Sequence, residues 1–364
     1  MRKVSCFFSC IFIFTFYAGT QQLFKNPLLP SGADPWVTQK DGFYYYMHTT
    51  GRDLNIWKTK WITELKSAEH KKVWTPPDST AYSKQIWAPE LHFINDKWYI
   101  YFAADNGKNE NHRIYVLENS SSDPLQGEWV MKGKITDGTD KWAIDASVFK
   151  HKRKWYMIWS GWEADTNGRQ DIYIAKMKSP WTIDGERVRI SSPVFDWERN
   201  GALNDSLNPP NVYVNESPQI LKNKKKLFLI YSASGCWTDE YALGMLHLKG
   251  RRKLLDSSRW RKSPEPVFKK SIENGVYAPG HNSFYQSPDG TEDWIIYHAN
   301  SKPAQGCGRN RSPRTQKFIW NRDGSPYFGV PVKEGELLPI PTEDKAVRKS
   351  RTDRSKVMLV PNLN

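Results

Sequence analysis

Five runs in this chain share one character: "GFYYYMHT" from Gly42, "KWYIYFAA" from Lys97, "KWYMIWSG" from Lys154, "KLFLIYSA" from Lys226 and "DWIIYHAN" from Asp293. Each is dense in aromatic and branched residues and follows a turn-forming triplet: "KDG", "IND", "HKR", "KNK" or "PDG". That is the chemistry of a strand entered through a hairpin turn. Aligning the runs places Tyr44, Tyr99, Tyr156, Phe228 and Trp294 at one position, at intervals of 55, 57, 72 and 66 residues. Nothing between them sustains a 3.6-residue apolar period. Five all-β units at a nearly regular interval predict a five-bladed β-propeller. A β-sandwich would not divide its strands into five similar groups of this length.

Each unit carries a further strand ahead of the aligned one. A polar or ionisable residue stands 9 to 13 positions before the aligned aromatic in every case: Asp34, Glu90, Asp145, Glu216 and His281. Four of the five have proline beside them or nearly so, in "DPW", "WAPE", "NESPQ" and "YAPGH". Proline is poorly tolerated in a central strand and acceptable on an edge. The innermost strand of a propeller blade is such an edge, facing the central channel. The five residues are therefore expected to point at a common axis, with the active site in that channel.

Carboxylates gathered in one channel repel one another, and their pKa values must separate. The fold gains nothing from that. An ionised and a protonated carboxyl, one activating water and the other protonating a departing oxygen, are the equipment of glycoside hydrolysis. The 17 Trp and 17 Tyr include rings suited to stacking on sugars. Trp87 and Trp162, beside "APE" and "SGWE" at strand ends, are read as sugar platforms. Trp159 continues a strand and is read as core.

The opening "MRKVSCFFSCIFIFTFYAGTQQ" has a basic start, an apolar run and then small residues, which predicts a secretory signal peptide cut between Ala18 and Gln21. The run is short for a membrane span of about 20 residues, and no later segment is apolar enough for one. Secreted or periplasmic placement follows. Cys6 and Cys10 would leave with the leader, so Cys236 and Cys307 remain, two cysteines in small-residue loops that could pair. The net charge of +14 is mostly dispersed. Its clusters, Lys222 to Lys226 and the tail "KAVRKSRTDRSK", read as a hairpin turn and a frayed end. Solvated surface is the reading, without nucleic acid as partner.

Taken in order, "ADPWV", "WAPEL", "AIDASVF", "NESPQIL" and "APGHNS" resemble glycoside hydrolase family 43, from about Asn26 to Pro341. The resemblance implies five-bladed propellers acting on arabinose- and xylose-containing glycans. It implies that Asp34 is the general base, Glu216 the general acid, and Asp145 the carboxylate that positions Glu216 and raises its pKa. It places Arg314, in "PRTQKFIW", near the acid and the sugar. It makes His281 the axial histidine that helps hold an ion, Ca2+ or another, through water, with no cofactor required. Glu90 is left open between a substrate contact and a structural carboxylate. The family inverts configuration, which implies a base and an acid roughly 6.5–9.5 Å apart.

The set "GADPWV", "WAPELHF", "SGWE" and "SASGCW" is similar to exo-acting α-L-arabinofuranosidases on arabinan-type or arabinose-decorated polysaccharides. Two insertions, "EADTNGRQD" and "DWERNGALNDSLNPPNVY", are expected to wall one end of the channel into a pocket. The alternatives are an endo-arabinanase, a galactan exo-hydrolase, a non-catalytic carbohydrate-binding propeller, and a β-xylosidase, which often carries an added C-terminal sandwich. The expected organisation is a leader over 1–20, a catalytic propeller over 21–344 and a basic tail over 345–364.

Overall fold

The computed structural model describes residues 22–203 and 208–343. The predicted leader and basic tail lie outside them. Among the described residues the chain is all-β, with helix confined to four short 3-10 turns, and no helix is long and apolar enough to cross a membrane.

The strands form antiparallel groups in chain order: three separate four-stranded sheets, and one eight-stranded sheet in which two four-stranded groups meet through a short parallel pairing of Arg169 and Gln170 with Tyr213 and Val214. Their first strands are Ala33–Lys40, Lys84–Ile94, Ala143–His151, Tyr213–Asn223 and Tyr277–Gln286. Each is followed by the aromatic strand found in the sequence: Phe43–Thr49, Lys97–Asp105, Lys154–Trp162, Lys226–Ala233 and Asp293–Asn300. Residue type explains the tight turns between them. Asp41-Gly42 has φ values of 53° and 75°, and Asn95-Asp96 has 49° and 61°. Both central residues of such a hairpin need positive φ, which Gly, Asn and Asp tolerate best. The Lys222–Lys226 cluster also falls at a turn, since Asn223 pairs with Lys226 across it.

Each first strand lies against the first strand of the next unit, and the fifth lies against the first. The apolar cores follow the same order. One joins Tyr45, Leu54 and Ile56 to Trp98, Ile100 and Phe102, and three more link the second unit to the third, the third to the fourth and the fourth to the fifth. The last joins Val37 and Tyr46 of the first unit to Tyr285, Trp294 and Ile296 of the fifth. A side chain such as Phe102 gains about 1.5–3 kcal/mol from such burial. Trp159 lies in the core between the second and third units, as expected.

One backbone feature recurs in every first strand. Two residues there stand opposite a single residue of the aromatic strand, which is a β-bulge. The pairs are Asp34-Pro35, Ala88-Pro89, Asp145-Ala146, Ser217-Pro218 and His281-Asn282. The first member of each is left-handed, with φ of 59°, 45°, 56°, 52° and 48°. The residues opposite are His48, Phe102, Trp159, Tyr231 and Tyr297, a flat ring every time. Positive φ on a non-glycine residue costs about 1–3 kcal/mol and persists where the surroundings impose it. Five such residues at five equivalent places mark where the chain is bent to aim side chains.

Candidate active site

A cavity of about 410 Å3 opens at the bulged end of the sheets, and Asp34, Asp145, Glu216 and His281 all line it. Three of these are the first residues of their bulges. Glu216 is the residue before one. The unit-by-unit equivalence assumed in the sequence is therefore corrected at two places, with Ala88 in place of Glu90 and Ser217 in place of Glu216.

Glu90, two residues beyond its bulge, is buried outside the cavity lining, bonded to Gln219 and, at 2.9 Å, to His92 Nε2. Burial holds its carboxyl well above the usual carboxylate range, against the bonds from Ser147 and Gln219. It ties neighbouring first strands together and is not placed to touch a ligand in the cavity.

Asp34 is over-determined. Oδ2 accepts from Thr49 Oγ1 at 2.6 Å, and Oδ1 accepts from Arg311 Nη1 at 3.1 Å, with His281 Nδ1 at 3.2 Å. Thr49 Oγ1 in turn accepts from the Ala88 N–H at 2.7 Å, so the bare bulge of the second unit still orients the aspartate of the first. The Asp34 N–H donates to His298 Nδ1 at 3.0 Å. Burial alone would push the Asp34 carboxyl up. The electrostatic pull of His281, then of the Arg311 guanidinium and of His298, with the Thr49 bond, reverses this and holds it far below the usual range. It is ionised at any working pH.

Asp145 and Glu216 go the other way. Burial pushes Asp145 up, Glu216 and Asp34 push further, and His281 and the Ser217 N–H oppose them; the result is about 7. Burial also raises Glu216 to about 7, with Asp34 adding and the Tyr241 bond and Arg311 opposing. One proton on this pair near neutrality is the natural state of two buried carboxyls beside a fixed anion. Ser217 links the groups: its N–H donates to Asp145 Oδ2 at 3.0 Å, and its Oγ lies 2.6 Å from His281 Nδ1.

Tyr241 is a partner that no sequence motif marks. Its hydroxyl donates to Glu216 Oε1 at 2.7 Å, and its ring stacks on His298 at 5.7 Å and 4°. One stacked pair thus connects the group holding the Asp34 backbone to the group holding Glu216. Gly280 makes room for it, since a Cβ there would sit 2.1 Å from Tyr241 Cε1. The Gly280→Ala variant should displace that ring. We expect it to lose about 1–3 kcal/mol of stability by thermal or urea unfolding, and an unchanged midpoint would contradict the packing described.

The remaining expected residues divide. Trp87 lines the cavity, half-buried and stacked on His112 at 4.0 Å. Trp162 does not. It is buried behind Trp142, stacked at 4.8 Å and 10°, and Trp142 takes the cavity face because it directly precedes the innermost strand. Arg314 is also corrected: it is fully buried away from the cavity, paired across the sheet with Tyr297 and donating to Ser301 and Glu334. The arginine in the cavity is Arg311, in the loop before that strand. Cys236 and Cys307 are joined in a disulfide with Cα atoms 5.2 Å apart, tying the loop of Trp237 to the loop of Arg311 at the cavity wall. Both insertions reach the cavity, and Asn167 of one donates to Asn208 of the other at 2.7 Å. Around His281, Nδ1 is engaged by Ser217 and Asp34, and no set of three His, Cys, Asp or Glu side chains among the described residues comes together to hold a metal ion.

Comparison with known proteins fits this arrangement. The family model "Glycosyl hydrolases family 43" matches residues 24–326. The extracellular exo-alpha-(1->5)-L-arabinofuranosidase of Streptomyces avermitilis is 38% identical over 321 residues, covering 86% of this chain and 64% of that protein. An enzyme of the same name from Streptomyces chartreusis is 35% identical over 281 residues, covering 76% of this chain and 82% of that one. The chain thus spans 64% of the length of the first of these relatives. The crystal structure of an alpha-L-arabinofuranosidase from Lactobacillus brevis superposes with a TM-score of 0.78 at 36% identity, covering 86% of this chain and 98% of that chain.

Proposed function

The chain belongs to family 43 of the glycosyl hydrolases, and from that premise we propose that it is an inverting exo-α-L-arabinofuranosidase built on a five-bladed propeller. The observation that carries the reading is the split in one cavity between an aspartate locked in its ionised form and a glutamate raised to about 7. In this scheme Asp34 takes a proton from water as the water oxygen bonds to the anomeric carbon. Glu216 gives its proton to the glycosidic oxygen as the carbon–oxygen bond breaks. The sugar leaves with inverted configuration. Burial and the nearby Asp34 keep Glu216 protonated, while Ser217 holds Asp145 and Tyr241 holds Glu216 in place. His281 and Arg311 hold Asp34 ionised, and no step passes through a metal.

The arabinose preference is supported by the names of the relatives, and exo action by the joined insertions that narrow the cavity. Secretion is supported by the word "extracellular" in two of those names together with the leader read from the sequence. Trp87, Trp142 and Trp237 are the proposed sugar platforms.

A panel of nitrophenyl α-L-arabinofuranoside, β-xyloside and β-galactoside, followed by debranched arabinan, tests the activity. The arabinofuranoside should be cleaved fastest, and arabinan should yield monosaccharide. Preference for the xyloside, or oligosaccharide products, would displace the reading. Proton NMR of the first product should show the inverted anomer.

The pH dependence follows from the two carboxyls. Glu216 must be protonated to act, so kcat/KM should hold below about 7 and fall as pH rises through that value. Asp34 contributes no acid limb in the ordinary carboxylate range, because it is already ionised there. The Tyr241 bond lowers the pKa of Glu216, so Tyr241→Phe should move the alkaline fall to higher pH. A fall that moves to lower pH would contradict this assignment.

A further inference from the structure

At the end of the sheets opposite the cavity, three segments set cations side by side. The turn of the third unit carries Lys150, Lys152, Arg153 and Lys154, and that of the fourth carries Lys222, Lys224, Lys225 and Lys226. The loop between strands Ala242–Leu248 and Trp260–Lys262 adds Lys249, Arg251, Arg252 and Lys253. No Asp or Glu occurs from 146 to 162, from 217 to 238 or from 241 to 255. The segments are tied together: a ring nitrogen of His151 meets the Arg251 carbonyl at 3.1 Å, and Lys222 Nζ donates to the Lys150 carbonyl at 2.6 Å.

Between them lies a groove of about 440 Å3 lined by Lys152, Arg153, Lys154, Arg251, Arg252 and Lys253. All six are exposed, and among the described residues none lies within 4.0 Å of a carboxylate oxygen. The acids at its margin are engaged elsewhere, Asp184 by Lys176 and Asp256 by Ser258. Gathering like charges in a concave surface raises the local potential and does nothing for the fold. Salt screens such exposed charges in part, whereas a polyanion neutralises several of them at once and releases their counterions.

We propose that this groove binds an acidic polysaccharide of the polyuronate type. One carboxylate per sugar ring matches cations set along two facing turns, and the sugar hydroxyls suit the lysine and arginine donors. Bound there, the polymer leaves the cavity at the other end free to trim neutral side branches of the same material. That last point rests on the arabinofuranosidase reading, whereas the binding itself does not. Nucleic acid fits less well. Of the two rings of the lining, Tyr156 is already stacked on Phe149 at 5.7 Å and His151 is held at the Arg251 carbonyl, whereas single-strand binders supply successive free rings. A duplex covers about 1,000–2,500 Å2 of protein, far more than two short turns offer.

The test uses the full chain, polygalacturonate as the probe, and a variant with Lys152→Glu, Arg153→Glu, Arg251→Glu and Arg252→Glu. Binding to the parent chain should weaken about tenfold or more between low and physiological salt. The variant should bind about tenfold or more weakly at low salt. Hydrolysis of nitrophenyl arabinofuranoside should be equal in both, which also reports that the variant is folded. Equal polygalacturonate affinity in the two chains overturns the proposal. So does tighter binding of duplex DNA or phosphatidylglycerol vesicles than of polygalacturonate. A chain that releases no arabinose yet binds polygalacturonate through these four residues upholds the groove and removes the glycosidase reading alone.

Discussion

The Asp34→Asn variant is expected to fold normally and to release arabinose about 10²–10⁴ times more slowly than the parent chain. Asparagine has almost the same volume and is among the residues most at ease at the positive φ of 59° found there. The Thr49 and Ala88 interactions can persist, and only the base is removed. The loss should fall on kcat with a nitrophenyl arabinofuranoside and with arabinan alike, because water must be deprotonated for either. An unchanged unfolding midpoint with turnover within tenfold of the parent would sink the assignment of Asp34 as base. A lost midpoint would be uninformative, and Asp34→Ser, smaller and neutral, then serves as the second variant.

Glu216→Gln should separate substrates instead. A natural linkage needs a proton on its departing oxygen, so arabinan hydrolysis should drop by about 10²–10⁴. A nitrophenolate leaves readily without one, and its loss should be far smaller. The fall in rate above about 7 should vanish from whatever activity remains. Equal losses on both substrates, with the alkaline fall still present, would mean that Glu216 is not the proton donor. Gln can keep the hydrogen bond from Tyr241, so the cavity wall is not expected to move.

The readable part of this fold was the aromatic strand. Its aromatic and branched residues recur at nearly regular intervals, which marks five similar runs in the sequence itself. The polar residues are less legible, because charge does not mark the kinked position in every unit. The structure makes Tyr45, not the aligned Tyr44, the counterpart of Tyr99, Tyr156 and Phe228: each lies eleven residues after the first bulge residue of its unit, and Trp294 lies thirteen after His281. The fifth hairpin is longer by two residues. That constant offset lands on Ala88 and Ser217, whereas the nearby carboxylates are Glu90 and Glu216. Glu216 belongs to the cavity because a residue just before a bulge also faces it, as Trp87 and Ile144 do. Glu90, beyond the bulge, faces the neighbouring strands.

Arg311 and Tyr241 carried no local signal. Arg311 reaches the cavity, and the buried Tyr241 reaches Glu216 behind the lining, from loops whose course depends on the disulfide and on packing across units, and neither dependence is written in a short window of sequence. Arg314 was the more conspicuous arginine because it sits in a strand with a recognisable pattern. The alternation of that strand turns it into the sheet interior. The same logic separates Trp142 from Trp162: two tryptophans stacked face to face, of which only the one nearer the innermost strand meets the cavity.

The kink of the second unit differs from the others in its side chain. Four of the five sister positions carry Asp, Asp, Ser and His, and the fifth carries only the methyl group of Ala88. It is a vacant peg in a rack already bent to shape. A larger side chain at Ala88, which is buried outside the cavity lining, would first disturb Thr49 and through it the carboxylate of Asp34.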